Sequence, residues 1–295
     1  MRIARLDHAE LSEAELVLAD ACAFDRATEV ADEKLFGPGP TTTPLAFAAW
    51  RDRELVGVAA VAGRWLRVLA VIPGARGRGA GSALLAACED AARATGETQL
   101  RTLDEPGNYL APGVDARNEH AIAWLERKGY ARTSDPRTNI LVPVRHNPRV
   151  TAARAAELAA AAASHGFEVR RARRDEQPLL VAIAAEFGGA WPFEVERALG
   201  HEPAPGVHVA LHDQTYCAFA AHDGNNRGLG WFGPTGTWPA YRGRGLGEAL
   251  LVACLVDVAA EHAHCEVAWI GPRPFYEKVA GISSDRELVV LRRTL

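Results

Sequence analysis

The sequence predicts a mixed α/β fold in which two similar domains follow one another. The chain has 295 residues, which is long for one average domain and suits two domains of about 150 residues each. Two glycine-rich stretches each follow a predicted strand and open a predicted helix: GARGRGAGSALL (74–85) and AYRGRGLGEALL (240–251). Arg76 and Arg242 lie 166 positions apart, and the opening strands RIARLD (2–7) and EVRRAR (168–173) have the same offset. A shared offset at two distant places indicates an internal duplication.

Apolar runs and turn residues predict the same series of elements in both halves. In the first half the predicted strands are PLAFAAWRD, ELVGVAAVAG and WLRVLAVIP, followed by the glycine-rich loop, a helix over residues 81–95 and the strand ETQLRTL. In the second half they are GVHVALHD, TYCAFAAHD and GLGWFGPTGTW, followed by the loop, a helix over residues 247–262 and the strand HCEVAWIG. A short helix and a closing strand end each half, TNILVPV in the first and RELVVLRR in the second.

Two breaks in this pattern set the predicted domain boundaries. The segment RHNPR (145–149) contains Asn and Pro, and the alanine-rich stretch after it predicts a connecting helix. We therefore expect an N-terminal domain at residues 1–146, a connector at 147–165 and a C-terminal domain at 166–295. The first half also carries roughly sixteen extra residues, DEPGNYLAPGVDARNEH (104–120), between its fifth strand and the next helix. They form either a loop that reaches the neighbouring domain or a solvated insertion.

Composition and charge favour a soluble protein that binds neither nucleic acid nor a membrane. Hydrophobic residues make up 48% and charged residues 24% of the chain, as in ordinary soluble domains. The formal net charge of -4 argues against nucleic acid as a main partner. The sequence has no apolar run of about 18 residues, and its first residues lack the pattern of a secretory signal. We expect a cytoplasmic protein with no membrane partner.

The spacing of cysteine and histidine predicts neither a disulfide framework nor a metal site. The five cysteines are scattered and include no C-x-x-C pair, which fits a reducing compartment. His262 and His264 form an H-x-H at the end of a predicted helix, without a nearby Cys or Asp partner. We expect no metal cofactor.

The glycine-rich loops have the physical properties of a phosphate site. A helix N-terminus offers unpaired backbone N–H groups and the positive end of the helix dipole, and glycines before it let a phosphate approach the backbone. The loops lack the Lys-Ser/Thr of a P-loop, and their G-x-G-x-G spacing differs from the dinucleotide G-x-G-x-x-G. A plain strand-to-helix turn is the alternative, but two copies at the same place of a repeated pattern favour a binding function.

The loops resemble a motif of the GCN5-related N-acetyltransferases, [Q/R]-x-x-G-x-[G/A]. The resemblance covers nearly the whole chain as two tandem domains. It implies central sheets whose fourth and fifth strands splay apart to admit the pantetheine arm of acetyl-CoA, with helices on both sides. Acetyl-CoA is then the co-substrate, and the loop amides hold its pyrophosphate. The coenzyme-binding residues it implies are Arg242, Gly243, Arg244, Gly245, Leu246 and Gly247 in the second half and Arg76, Gly77, Arg78, Gly79 and Gly81 in the first.

A second motif distinguishes the two halves. The segment GPRPFYEKVAGI (271–282) resembles the F-Y-x-K helix of the superfamily, in which a tyrosine stands near the coenzyme sulfur. Tyr276 takes that place and would protonate the leaving thiolate; the alternative is a packed aromatic ring at a helix start. In the first half Trp124 and Leu125 align with Phe275 and Tyr276, so the phenol is missing, and Tyr130 is expected in the core. We expect the second domain to be catalytic and the first to be degenerate.

The sequence gives weaker evidence for the groups that polarise the carbonyl and accept the proton of the amine. The resemblance implies that backbone amides at Gly236, Thr237 and Trp238 polarise the thioester carbonyl. Strand four of the second half contains no carboxylate, so Glu266 on the fifth strand is the candidate general base. Glu186 and Glu194 are alternatives, and a water chain is another.

The acceptor is expected to bind the segment AAEFGGAWPFEVERAL (184–199). Trp191 and Phe193 would form an apolar platform, with Glu186 and Glu194 to meet an ammonium group, and this combination suits an amino sugar. Burial of the two rings in the core is the alternative. The two-domain layout also resembles, in part, bipartite glucosamine/galactosamine N-acetyltransferases. An aminoglycoside or polyamine acceptor, or an acyl-CoA sensor without catalysis, are the rival functions.

Overall fold

The computed structural model describes residues 1–135 and 137–295 and contains two compact units. Unit 1 consists of residues 1–137 and 287–295, and unit 2 consists of residues 138–286. Each unit has a mixed sheet flanked by helices, which confirms the predicted fold class.

The elements follow the predicted series along the chain. Those of the first half are β1 (Arg2–Arg5), α1 (Leu11–Ala21), α2 (Ala31–Leu35), β2 (Leu45–Arg51), β3 (Glu54–Ala62), β4 (Trp65–Val71), α3 (Ala80–Ala94), β5 (Gln99–Thr102), β6 (Val114–Asp115), α4 (Glu119–Arg127), β7 (Ala131–Arg132) and β8 (Arg137–Pro143). Those of the second half are α5 (Ala152–Ser164), β9 (Glu168–Arg171), α6 (Gln177–Glu186), α7 (Trp191–Leu199), β10 (Val207–His212), β11 (Thr215–His222), β12 (Trp231–Thr237), α8 (Leu246–Ala259), β13 (His264–Val267), α9 (Arg273–Val279), β14 (Ser284–Val289) and β15 (Leu291–Thr294).

The central strands are apolar along almost their whole length because helices cover both faces of each sheet. In unit 1, β3 packs against α1 and α3, and its residues from Leu55 to Ala62 are all buried. In unit 2, β11 packs against α7 and α8. Such continuous apolar strands are expected wherever neither face of a sheet meets water.

The closing strand of each half belongs to the unit of the other half. Within unit 1 the described strands run in the order β1-β2-β3-β4-β5-β15-β7, so the last strand of the chain lies between β5 and β7. Arg293 of β15 pairs with Leu100 of β5. Within unit 2, β8 pairs antiparallel with β13, with Val142 opposite Cys265, and the order continues through β12, β11 and β10 to β9. We refer to this arrangement as the strand exchange.

The compact units therefore differ from the predicted ranges 1–146 and 166–295. The alternation of apolar residues predicts that a segment is a strand but does not specify its partner. The expected connector at residues 147–165 is also part of unit 2, since Ala155 and Leu158 of α5 pack on the core that contains Leu250 and Leu251 of α8. Because α5 and the sheet cover opposite sides of α8, that helix is apolar nearly all round.

The predicted splaying of the fourth and fifth strands is confirmed in both units. β4 pairs in parallel with β5 only at Trp65 and Leu66, and β12 pairs with β13 only at Trp231 and Phe232. The register of β4 against β3 shifts at this point, as does that of β12 against β11. A β-bulge bends its strand and increases the local twist, so the second part of each strand leaves its parallel neighbour. The result is a gap along one edge of β4 and of β12.

The extra loop at residues 104–120 is not a solvated insertion. Residues 107–115 are buried. Glu105 forms a buried ion pair with Arg67, with Nη2 and Oε1 3.0 Å apart, and Asn108 accepts a hydrogen bond from Lys34 Nζ at 2.9 Å. These bonds fix the loop against the rest of unit 1.

Candidate active site

Each glycine-rich loop presents free backbone amides at the start of a helix. Gly79 precedes α3 with φ +93° and Gly245 precedes α8 with φ +78°, a conformation that side chains disfavour. The first hydrogen bonds of the two helices run from Ala83 N–H to Gly79 O (3.0 Å) and from Ala249 N–H to Gly245 O (3.1 Å). The amides between these residues have no acceptor within their helix, and they are the groups that a phosphate could bind.

The arginines that begin the two motifs bind the protein's own backbone. Arg76 Nε donates to Val71 O at 3.0 Å, and Arg242 Nε donates to Thr237 O at 3.2 Å. The acceptors are again 166 positions apart, so the duplicated halves preserve the same hydrogen bond. These guanidinium groups fix each loop to the end of its strand. Arg244 extends over the Phe167 and Tyr241 rings, with centroids 5.7 and 5.9 Å from its Cζ, and Arg78 is exposed.

One of the three predicted carbonyl-polarising amides faces the gap beside β12. Trp238 N–H donates to Cys217 O of the neighbouring strand region at 3.0 Å and is therefore occupied. Hydrogen-bonded and non-hydrogen-bonded pairs alternate along an antiparallel ladder, so the Gly236 amide also points towards β11. The Thr237 amide points the other way, into the gap. The sequence alone could not show which of the three amides faces the gap, because the direction of each amide depends on the register of β12 against β11.

Tyr276 lies at the point where β12 and β13 part. Its ring packs edge-on against Phe232, the last residue of β12 that pairs with β13, with ring centroids 6.4 Å apart. The residue is 5% exposed, and burial raises the pKa of the phenol to about 12. Within the described part of the chain its hydroxyl has no hydrogen-bond partner. The phenol is therefore neutral at physiological pH and has a proton to donate.

The same place in unit 1 holds a cavity. Leu125 replaces the phenol, and the cavity of about 110 Å³ lies beside it, lined by Leu66 and Leu69 of β4, by Trp124 of α4 and by residues 21–25. Trp124 and Phe275 pack alike on the third glycine of their loops: a Cβ added at Gly81 or Gly247 would lie 3.5 or 3.7 Å from those rings. Tyr130 is buried in the core as predicted, and its hydroxyl donates to Glu89.

An aromatic cluster lies on the α6–α7 side of β12. Phe187 stacks on Trp191 with centroids 5.1 Å apart and meets Trp238 edge-on at 5.0 Å. All three rings are half-buried and rest on the fully buried Phe219. We call Phe187, Trp191 and Trp238 the aromatic wall.

The other predicted acceptor residues are not among the rings of the aromatic wall. The Phe193 ring instead lies under the Arg197 guanidinium, with the ring centroid 5.6 Å from Cζ. Glu186 is exposed, whereas Glu194 is buried. Phe187 was absent from the predicted site although it lies in the same sequence segment, because the helix boundary between Glu186 and Trp191 decides which rings point together.

Glu266 lies on the same face of the sheet as the aromatic wall. Its neighbours Cys265 and Val267 are buried in the core with α8, and successive strand residues point to opposite faces. The Glu266 carboxylate accepts hydrogen bonds from Asn139 Nδ2 at 2.6 Å and from Arg286 Nη1 at 3.2 Å. Asn139 was absent from the predicted site, since only the strand exchange brings it to β13.

Two further observations concern metal ligands and membrane spans among the described residues. No group of three or more His, Cys, Asp or Glu side chains among them is arranged to hold a metal ion. No helix in the described ranges is both long enough and apolar enough to cross a membrane.

Several solved structures share this fold at low sequence identity. The glucosamine N-acetyltransferase region of a fungal multi-domain GH3 β-N-acetylglucosaminidase aligns with a TM-score of 0.78 and 16% identity, over 99% of this chain and 38% of that one. The chain thus spans well under half the length of that protein. A tandem GNAT protein from the clavulanic acid biosynthesis pathway aligns with a TM-score of 0.71 and 19% identity, over 99% and 98% of the two chains. An N-acetyltransferase from Sphaerobacter thermophilus aligns with a TM-score of 0.65 and 15% identity, over 99% of this chain and 95% of that one.

A family model identifies the chain more specifically than the solved structures do. No curated protein matches the chain. The model of the acetyltransferase (GNAT) family matches twice, at residues 17–130 and 176–282, and each match contains one glycine-rich loop and one splayed strand pair. The chain belongs to the GNAT acetyltransferase family and carries two GNAT domains in tandem.

Proposed function

We propose that the protein transfers the acetyl group of acetyl-CoA to a primary amine of a small molecule, and that unit 2 performs the transfer. The observation that carries this proposal is the buried, neutral phenol of Tyr276 at the gap between β12 and β13. A site that only bound acyl-CoA would have no need of a proton donor there. In unit 1, Leu125 occupies the corresponding place.

The residues of unit 2 can divide the chemistry of amide formation between them. The amine attacks the thioester carbon, the carbonyl oxygen becomes negatively charged, and the C–S bond then breaks. The Thr237 amide points towards the gap and can donate to the developing oxyanion. Tyr276 can donate its proton to the departing thiolate of CoA. The amide group and the free thiol are the products.

The proposed base is Glu266, which accepts the proton that the amine loses. It shares a sheet face with the aromatic wall and is half-buried. Its hydrogen bonds to Asn139 and Arg286 hold it in one orientation, and a water molecule can relay the proton to it.

The aromatic wall supports an acceptor with a flat apolar face, such as an amino sugar. Pyranose rings stack on indole and phenyl faces, which supply contact area at low cost in conformational entropy. The likeness to a structure described as a glucosamine N-acetyltransferase region supports the same class of acceptor. The exposed carboxylate of Glu186 lies at the end of α6 beside the wall and can attract an ammonium group.

Unit 1 retains the loop, the gap and a cavity without the phenol, which favours coenzyme binding without transfer. This observation also keeps the acyl-CoA sensor as a second candidate function for the whole chain. We place the protein in the cytoplasm, where acetyl-CoA is available and where the five free thiols stay reduced.

Thiol release from acetyl-CoA tests the proposal directly. The full-length chain is incubated with acetyl-CoA and, in turn, with glucosamine, galactosamine, an aminoglycoside and a polyamine. We expect release above the acceptor-free control with an amino sugar. Release only with an aminoglycoside or a polyamine would name that class as the acceptor instead. Binding of CoA by calorimetry without release by any acceptor would identify a sensor.

A further inference from the structure

A buried asparagine from the N-terminal half of the sequence lies inside unit 2. Asn139 belongs to β8, the strand that the strand exchange places beside β13, and it is fully buried. Its side chain uses both ends: Nδ2 donates to Glu266 Oε1 at 2.6 Å, and Oδ1 accepts from the Trp269 backbone N–H at 2.9 Å. It therefore connects the last part of β13 to the turn that follows it.

That turn has a strained backbone. Trp269 has φ +48°, which is rare for a bulky residue. The next residue, Ile270, donates its N–H to Thr138 O at 3.0 Å. Two neighbouring residues of β8 thus hold the turn in this conformation.

The corresponding turn of unit 1 is held differently. Leu103, directly after β5, also has positive φ, at +61°. β5 and β13 align through their pairing with β4 and β12, with Arg101 in the place of Glu266. The register of β15 on β5 then places the buried, apolar Val290 where unit 2 has Asn139. Its neighbour Leu291 donates its backbone N–H to the side-chain oxygen Thr102 Oγ1 at 3.0 Å. The side-chain clamp therefore occurs only in the unit that has the phenol.

The turn decides where α9 begins. From Trp269 the chain runs directly into α9, which carries Tyr276. A side chain that fixes both Glu266 and the turn therefore fixes the proposed base and the proposed acid relative to β12. Catalytic groups lose much of their effect when they move by about 1 Å.

We propose that Asn139 is a positioning residue for the transfer site of unit 2, supplied by the N-terminal half of the chain through the strand exchange. This inference rests on the proposed function of Tyr276 and Glu266.

Two substitutions at Asn139 separate its two hydrogen bonds. Asn139→Leu removes both hydrogen bonds and leaves an apolar side chain, as unit 1 has at this place with Val290. Asn139→Asp has the same size and keeps the acceptor for Trp269, but it replaces the donor to Glu266 with a second carboxylate. As a control, Asn108→Leu removes a fully buried asparagine of unit 1 that bonds Lys34, so it reproduces the structural cost of losing a buried amide.

The assay is acetyl transfer by the full chain at varied pH, with CoA affinity measured in parallel. We expect Asn139→Leu to lower kcat at least tenfold and to change the CoA Kd by less than threefold, because the loop at residues 242–247 is untouched. Asn139→Asp places a second carboxylate beside Glu266, which also pairs with Arg286, and like charges disfavour ionisation, so we expect the acid limb of the pH–rate profile to move to higher pH. We expect Asn108→Leu to lower the Tm but to keep kcat and the pH profile.

The outcomes distinguish the inference from the function on which it rests. An Asn139→Leu variant with kcat within twofold of the parent, or an Asn139→Asp variant with the parent's rate and pH profile, overturns the positioning role alone. If Asn139→Leu does not fold, the isosteric Asn139→Asp decides. A parent protein that releases no thiol with any acceptor overturns the proposed function and this inference together.

Discussion

The Tyr276 hydroxyl is the single group on which the proposed transfer depends most. Burial keeps it protonated, and its ring is held between Phe232 and Phe275, so the ring can keep its place without the oxygen. This separates its chemical role from its packing role.

We predict that Tyr276→Phe lowers kcat by roughly 10²–10⁴, the usual contribution of a general acid, while CoA binding stays nearly intact. Tyr130→Phe is the matched control, because it removes the hydroxyl of a buried tyrosine in unit 1 that bonds Glu89. It should cost about 1 kcal/mol of stability and leave the rate unchanged. Equal turnover of Tyr276→Phe and the parent would remove the phenol from the mechanism.

A second residue-level feature is the buried His222 and the carboxylates beside it. His222 Nδ1 bonds Asp223 Oδ2 at 2.8 Å, and its Nε2 lies 3.4 Å from Asp257 Oδ2, outside hydrogen-bond geometry. Asp257 also pairs with His208 at 2.7 Å and with Arg171 at 2.6 Å. Burial alone lowers the pKa of His222, but the hydrogen bond to Asp223 and the charge of Asp257 outweigh it and raise this pKa to about 9.

Stability should therefore depend on pH in the alkaline range. In the unfolded chain the histidine pKa is about 6.5, so the folded state binds the extra proton, and this contribution is complete below pH 6.5 and lost as the pH rises through 9. We predict that the free energy of unfolding, from urea titrations, falls between pH 6.5 and 9.5. His222→Asn should flatten this slope, and substitution of the exposed His165 by Asn should not. A parent protein with no slope would contradict the prediction.

Among the elements, the glycine-rich loops offer the sharpest comparison, because the two copies share their backbone geometry. Gly79 and Gly245 both have positive φ, and a Cβ added at either would meet nothing within 4 Å. In both units, a side chain at this position strains the backbone and takes up the space in front of the free amides.

We predict that Gly245→Val weakens CoA binding to unit 2 at least tenfold, about 1.4 kcal/mol, and lowers turnover accordingly. Gly247→Val should do the same without backbone strain, since φ is not positive there. Gly79→Val should leave turnover within a few-fold, as should Arg76→Ala. Loss of activity in a folded Gly79→Val variant would show that unit 1 takes part in the transfer.

The aromatic wall allows a test between neighbouring residues of one helix. Trp191→Ala removes a ring of the wall, so we predict a higher acceptor KM with CoA binding unchanged. Phe193→Ala removes a ring that lies under Arg197 instead, so it should leave the acceptor KM unchanged. If Phe193→Ala raises the acceptor KM and Trp191→Ala does not, or if Trp191→Ala only lowers the Tm, the rings of the aromatic wall serve core packing and not acceptor binding.

The sequence predicted the elements that are specified locally. The duplicated loops, the strands before them and the missing phenol of the first half follow from spacing and residue type. The partners of the closing strands do not, because TNILVPV and RELVVLRR indicate strands equally well in either sheet. For the same reason Asn139 could not be assigned to the site. The sequence left two forms open for the loop at 104–120, because the partners of its polar residues, Arg67 and Lys34, are distant in sequence.

At the scale of the whole molecule, the strand exchange makes each unit depend on both halves of the chain. Leu291 is fully buried in the core of unit 1, and β15 supplies hydrogen bonds to both β5 and β7. Removal of the last strand should therefore damage the unit formed mainly by the beginning of the sequence.

We predict that deletion of residues 290–295 destabilises unit 1 before unit 2. Limited proteolysis followed by mass spectrometry should find new cleavage sites within residues 1–135 and fewer within 152–280. Substitution of the exposed Arg292 by Ser, which keeps the backbone of β15, serves as control and should leave the pattern unchanged. Preferential cleavage of unit 2 would contradict the dependence.

The strand exchange also has a consequence for synthesis on the ribosome. Domains usually fold in the order in which they emerge, the N-terminal one first. Here Leu100 pairs with Arg293, so unit 1 cannot be completed until the residues of β15 have been translated. Until then the edge of β5 is an open strand edge, the kind of surface that pairs with other chains. Emergence of β15, rather than emergence of the first half of the sequence, is the event that closes unit 1.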